Sequence, residues 1–261
     1  MIKAINTDNK RMRLYVTVRC KEPRKFRLSV SDYGRQFSKY AARLIDCAGE
    51  REIFFSLPVT PKVMSLEVID AANPGATDFE VEIQEKPLVT YSVWLDEDTT
   101  DFLKLATFFS QVCGFEPATP QGRMFATADN RFAIKYFTAI IDNKTKQVLS
   151  TPARIGHTSG IIETSEQRFR PYTFAMRMMI LLHEFSHKFR NPKMGLQISN
   201  EIGADINALY IYLGLGYSKV DAIYVYANVF LKAQTKQNIQ RMRMIMDYIQ
   251  RFENQEFAKR N

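Results

Sequence analysis

Cysteine and histidine are scarce, with three of each in 261 residues. Cys20, Cys47 and Cys113 are odd in number, far apart and in no CxxC arrangement, which excludes a disulfide framework and a thiolate zinc cluster. They are expected to be reduced and buried. Eleven glycines and ten prolines are too few for a collagen-like or low-complexity chain. No uninterrupted apolar run reaches the roughly 20 residues needed to cross a bilayer. Residues Met1 to Asn6 also lack the apolar core of a secretory leader. No membrane partner is therefore expected, and the expected location is the cytoplasm or a particle assembled there, such as a virion.

Apolar residues make up 46% of the chain and charged residues 25%, enough to bury a sizeable core without a metal or disulfide to hold it. The formal charge of +8 is unevenly spread. Residues 1 to 45 hold twelve Lys/Arg against Asp8, Glu22 and Asp32, a net +9, leaving −1 for the rest. That basicity reads either as a solvated strand face or as a contact for nucleic acid or an acidic partner. No recognisable nucleic-acid motif accompanies it.

Every second residue from Met12 to Cys20 is apolar, the mark of a half-buried strand. The period returns at Phe26 to Val30, Ile53 to Val59, Met64 to Val68 and Phe79 to Ile83, with a turn at Ala72-Asn73-Pro74-Gly75. A short helical piece is expected near Gln36 to Leu44. The fold class expected is α+β: an antiparallel β-sandwich over 1–88, Ig-like or jelly-roll-like, then a zincin-like domain over 89–261 with a small sheet and a mostly helical C-terminal half. In the second part a helix is expected from Asp98 to Cys113, with strands between Arg131 and Ile162. Four helices should follow: Tyr172 to Arg190 with Pro171 at its first position, Ile198 to Leu213, Lys219 to Ala233, and Lys236 to Phe257. The stripe Phe174, Met178, Leu181, Phe185 is assigned to the core.

The first of these helices carries His183-Glu184-Phe185-Ser186-His187, an HExxH motif. Histidines four residues apart lie one turn above each other, so both imidazoles can reach one metal ion, and Glu184 falls on the same stripe. The motif follows Met178-Met179-Ile180-Leu181-Leu182, an apolar setting in which unpaired polar groups are costly and a metal is the natural partner. A catalytic site needs a third protein ligand. With His157 the only other histidine, a carboxylate is favoured, and Asn200-Glu201-Ile202-Gly203-Ala204-Asp205 offers Glu201 and Asp205 one turn apart on the next helix. Ala204 and Ala208 are small enough to let the two helices approach.

HExxH followed by Asn-Glu-x-x-Ala-Asp resembles the gluzincin metallopeptidases, whose thermolysin-like members carry Asn-Glu-x-x-Ser-Asp. The likeness covers about 25 residues, with a shorter step from the second histidine to the glutamate and with Lys188 at a position usually uncharged. The resemblance implies a zinc metallopeptidase in which His183, His187 and Glu201 bind Zn2+, Glu184 is the general base and Asp205 orients a ligand histidine. The oxyanion donor is open among His157, Arg170, Tyr172, Tyr210 and Tyr212, with His157 and Tyr210 as the catalytic candidates. A protein or peptide is the expected substrate, added as an extended strand near Thr151 to Thr164. Two other readings stand beside this one: a structural component of a larger assembly such as a virion, retaining a zincin-like unit, and a zinc hydrolase of a non-peptide amide.

Overall fold

Period-two burial organises the first part of the chain. The computed structural model describes residues 1–156, 158–189 and 201–260 and divides them into two compact units, Met1–Val89 with Gly216–Ser218 and Thr90–Leu215 with Lys219–Asn261. Together they are a mixed α/β protein with an antiparallel sheet and helices.

In the first unit β1 (Ile2–Asn6), β2 (Met12–Asp32), β3 (Arg35–Leu57), β4 (Val63–Asp70) and β5 (Phe79–Pro87) form one antiparallel sheet. β2 and β3 are a long hairpin. Against its other edge β2 takes β5 along Met12 to Cys20 and β4 along Phe26 to Asp32. Leu14, Val16, Val18, Phe26, Leu28 and Val30 are all buried, so one parity supplies the apolar core on either side of the exposed stretch Lys21 to Pro23. The two runs that read as separate strands are one strand with a register shift between Cys20 and Arg24, opposite Gly49 at φ +83°, a left-handed conformation that suits glycine.

The helix expected near Gln36 to Leu44 is instead part of β3. A register shift between Lys39 and Ala41 turns Tyr40 and Ala41 both inward, which breaks the alternation and imitates a helical pattern. Several of the basic side chains of this unit are paired, Arg19 with Glu50 and Glu82, Arg24 with Asp70 and Asp78, and Lys25 with Asp46. The Arg24 guanidinium, hydrogen-bonded to Asp78, holds that carboxyl down at about 2.

The second unit begins with α1 (Glu97–Val112), capped by Asp96, whose side chain accepts from the Thr99 N–H at 2.8 Å. A four-stranded sheet follows in the order β6-β7-β9-β8, built from β6 (Arg123–Ala126), β7 (Ala133–Phe137), β8 (Ala153–Ile155) and β9 (Ile162–Ser165). β7 and β9 run parallel, and β8 is antiparallel to β9 at the end of the sheet. A single turn of helix, α2 (Glu166–Phe169), leads to α3 (Phe174–Ser186), every residue of which is buried. A helix enclosed on all sides is a central one. Phe185 of α3 stacks on Phe102 of α1 at 4.1 Å between ring centroids.

α3 starts two residues later than expected. Pro171 precedes it, and Thr173 is the cap, accepting from the Met176 N–H at 3.4 Å. Thr173→Ala is expected to cost about 1 kcal/mol, read as a lower denaturant midpoint at unchanged slope.

α4 (Glu201–Gly214) packs on α3, with Ala204 and Ala208 fully buried at the contact. Asn207 ties the two together, donating from Nδ2 to Ser186 Oγ at 2.8 Å. α5 (Lys219–Val225) runs into a π-helical turn, Tyr226–Phe230, and α6 (Lys236–Glu253) closes the unit. No helix among the described residues is long and apolar enough to cross a membrane.

Candidate metal centre

The site forms where α3 ends and α4 begins. Glu201 lies beside His187, and Asp205 lies beside His183. Glu201 also faces His183 at 3.5 Å, so its carboxylate reaches both rings. The i, i+4 spacing on both helices then stacks two histidines against two carboxylates.

Ligand-type atoms of His183, His187 and Glu201 all fall within 4.8 Å of one another, a group that could hold a metal ion. His183 Nε2 and His187 Nε2 are 3.2 Å apart, with the rings nearly perpendicular at 87°. His183 Nε2 lies 3.5 Å from Glu201 Oε2, and His187 Nε2 lies 3.7 Å from Glu201 Oε1. His183 is buried, whereas the side chains of His187 and Glu201 are 25% and 46% exposed. One flank of the group is thus reachable from solvent.

Each member is held from behind. His183 Nδ1 faces Asp205 Oδ1 at 3.0 Å, short of full hydrogen-bond alignment and with no other partner among the described residues. Phe230, delivered by the π-helical turn, lies over the His183 ring at 4.0 Å between centroids. Such turns recur at functional sites because they re-aim a single side chain. Tyr226, from the same turn, donates its hydroxyl to the Asp205 carbonyl at 3.0 Å. Arg241 of α6 grips Asp205 through Nε to Oδ2 at 2.8 Å and Nη2 to Oδ1 at 2.9 Å, and Nη2 also reaches Glu201 Oε2 at 3.1 Å. Glu184 is buried on the neighbouring side, where the backbone of Ile155 in β8 acts to lower its pKa.

The electrostatics follow from this packing. Burial works against charge on His183, but the nearby carboxylates of Asp205 and Glu201 outweigh it and take the pKa up to about 9. The bond to His183 in turn brings Glu201 down to about 2 against the effect of burial. Burial, then the charge of His183, pushes His187 below its ordinary value. Burial pushes Glu184 above the ordinary carboxylate range, with His183 offsetting part of the rise.

Of the residues singled out from sequence, His183, Glu184, His187, Glu201 and Asp205 are brought together. His157 lies outside the described residues. Tyr210 is not brought in: it is nine positions beyond Glu201, half a turn round α4, and its hydroxyl accepts from the Trp94 N–H at 2.8 Å. Arg170 is paired with Glu166, Tyr172 has its phenol pKa raised by burial, and Tyr212 is buried. Arg241, Phe230 and Ile155 did not emerge from the sequence. Only Arg241 left a trace there, as a cation on the stripe Arg241, Ile245, Tyr248, Ile249, Phe252 that α6 buries.

No protein-family model and no curated protein matches the chain. Among solved structures it is similar to the crystal structure of a functionally unknown conserved protein mutant from Bacillus anthracis str. Ames, at 12% identity and a TM-score of 0.23. The match covers 85% of this chain and 52% of that one, so the chain spans about half the length of its match. A superposition at that level carries no argument about fold or function.

Proposed function

We propose that the protein is a zinc-dependent metallopeptidase of gluzincin type, with a zincin-like second unit and a β-sandwich-like first unit. The observation that carries the reading is the convergence of His183, His187 and Glu201. A tetrahedron with bonds of about 2.0–2.1 Å has edges of about 3.3–3.4 Å. The two imidazole nitrogens, 3.2 Å apart, are close to that figure, and Glu201 brings Oε1 to 3.7 Å from His187 Nε2 and Oε2 to 3.5 Å from His183 Nε2. Two imidazoles and one carboxylate also suit zinc better than calcium or magnesium, which take oxygen ligands. The sandwich reading rests on β4 and β5 sharing one edge of β2 while the apolar side chains of β2 on one parity are buried in both halves of the strand.

A zinc ion held by these three residues would supply Lewis acidity toward a scissile carbonyl and lower the pKa of water to about 7. The chain's own groups do the rest. Glu184 takes the proton of the attacking water and returns it to the leaving amine. Asp205 fixes the orientation of the His183 ring through Nδ1, and Phe230 confines the ring from its face. An extended peptide adding to β8, the terminal strand of its sheet, would run beside Glu184, since the backbone of Ile155 in β8 already acts on that carboxylate.

Metal removal tests the proposal directly. The purified protein should contain close to one zinc per chain by elemental analysis and should cleave a mixed peptide library. A chelator should abolish cleavage, and added zinc should restore it. Cleavage that survives complete metal removal, or a chain that takes up no zinc, would end the reading.

A further inference from the structure

Arg241 is a buried cation 36 residues beyond Asp205 and 40 beyond Glu201, brought to the site by α6. Its Nη2 bridges two carboxylates, 2.9 Å from Asp205 Oδ1 and 3.1 Å from Glu201 Oε2. Asp205 Oδ1 is the oxygen that faces His183, and Glu201 Oε2 is the oxygen nearer to His183 Nε2. One guanidinium therefore touches both acids that set the geometry of the histidine and glutamate donors.

From this bridge we infer that Arg241 is a positioning residue that occupies Glu201 Oε2, leaves Oε1 as the single carboxylate donor, and so holds the centre to a low coordination number that suits zinc. The inference rests on the metallopeptidase reading. Two physical arguments support it. A fork of N–H donors at fixed geometry can hold Asp205 through both oxygens and still reach Glu201, which the point charge of a lysine cannot do. Charge points the same way: with both imidazoles neutral, as metal ligands must be, Glu184, Glu201 and Asp205 place three carboxylates against Arg241, and a divalent ion makes up the difference. Without Arg241 the freed Oε2 would be available as a second ligand, and flexible carboxylates that bind through both oxygens are the habit of larger oxygen-seeking cations.

The test compares zinc affinity of the full chain, metal-free and reloaded, for wild type, Arg241→Met and Arg241→Lys, by competition with a chromophoric chelator. Thermal melts of the metal-free proteins establish that each is folded. X-ray absorption at the zinc edge counts ligands. Arg241→Met should bind zinc 10–100-fold more weakly, the loss usual for groups that orient metal ligands, and should gain one oxygen in the coordination shell. Arg241→Lys should also be weakened, because it keeps the charge and loses the fork. A folded Arg241→Met with wild-type affinity and ligand count would overturn the inference and leave the metallopeptidase reading standing. Wild-type affinity in Arg241→Lys would overturn the fork argument, and failure of both variants to fold would make Arg241 a folding residue instead. A wild-type chain that binds no zinc would overturn both readings together.

Discussion

Glu184→Gln is expected to keep its zinc and lower kcat/KM by about 10²–10⁴-fold, the usual contribution of a positioned acid–base group. The amide matches the carboxylate in shape, so the buried slot is retained. What is lost is the capacity to accept a proton. Elemental analysis alongside initial rates separates the two effects. A variant that holds zinc and turns over at the wild-type rate would remove Glu184 from the chemistry.

Asp205→Ala is expected to destabilise the fold by about 3–5 kcal/mol, because it leaves the buried Arg241 guanidinium without its main partner. Glu201 can recover only part of this, through one contact at 3.1 Å and with a side chain 46% exposed. A surface pair gives the contrast. Breaking Lys219–Glu253, where both side chains are 46% exposed, should cost under about 1 kcal/mol. Denaturant titration of the two variants against wild type measures both. Similar small losses in each would mean that the Asp205–Arg241 pair is solvated and contributes little.

The sequence could be read wherever the deciding interaction is local. Alternation along Met12 to Cys20 marks a strand because side-chain parity is a property of neighbouring residues, and the one-turn spacing of His183 and His187 marks a single helix stripe for the same reason. Errors arose where a distant partner decides. The period-two runs Met12 to Cys20 and Phe26 to Val30 read as separate strands, yet pairing with β3 carries β2 through both with a register shift. Tyr40 and Ala41 share a side only because β3 bulges against β2. At the site, Glu201 and Asp205 were readable from their one-turn spacing. Phe230 was not, since it owes its place over His183 to a π-helical turn with no sequence signature, and Ile155 contributes only its backbone.

The reach of Arg241 from α6 also has a temporal meaning. The HExxH segment leaves the ribosome almost sixty residues ahead of that guanidinium, and chains fold as they emerge. A nascent protein can therefore bring its histidines and Glu201 together well before the clasp behind them arrives. On the proposed metallopeptidase reading, firm retention of the ion would become one of the last events of maturation, and a half-made chain would be a poor competitor for zinc and a poor hydrolase.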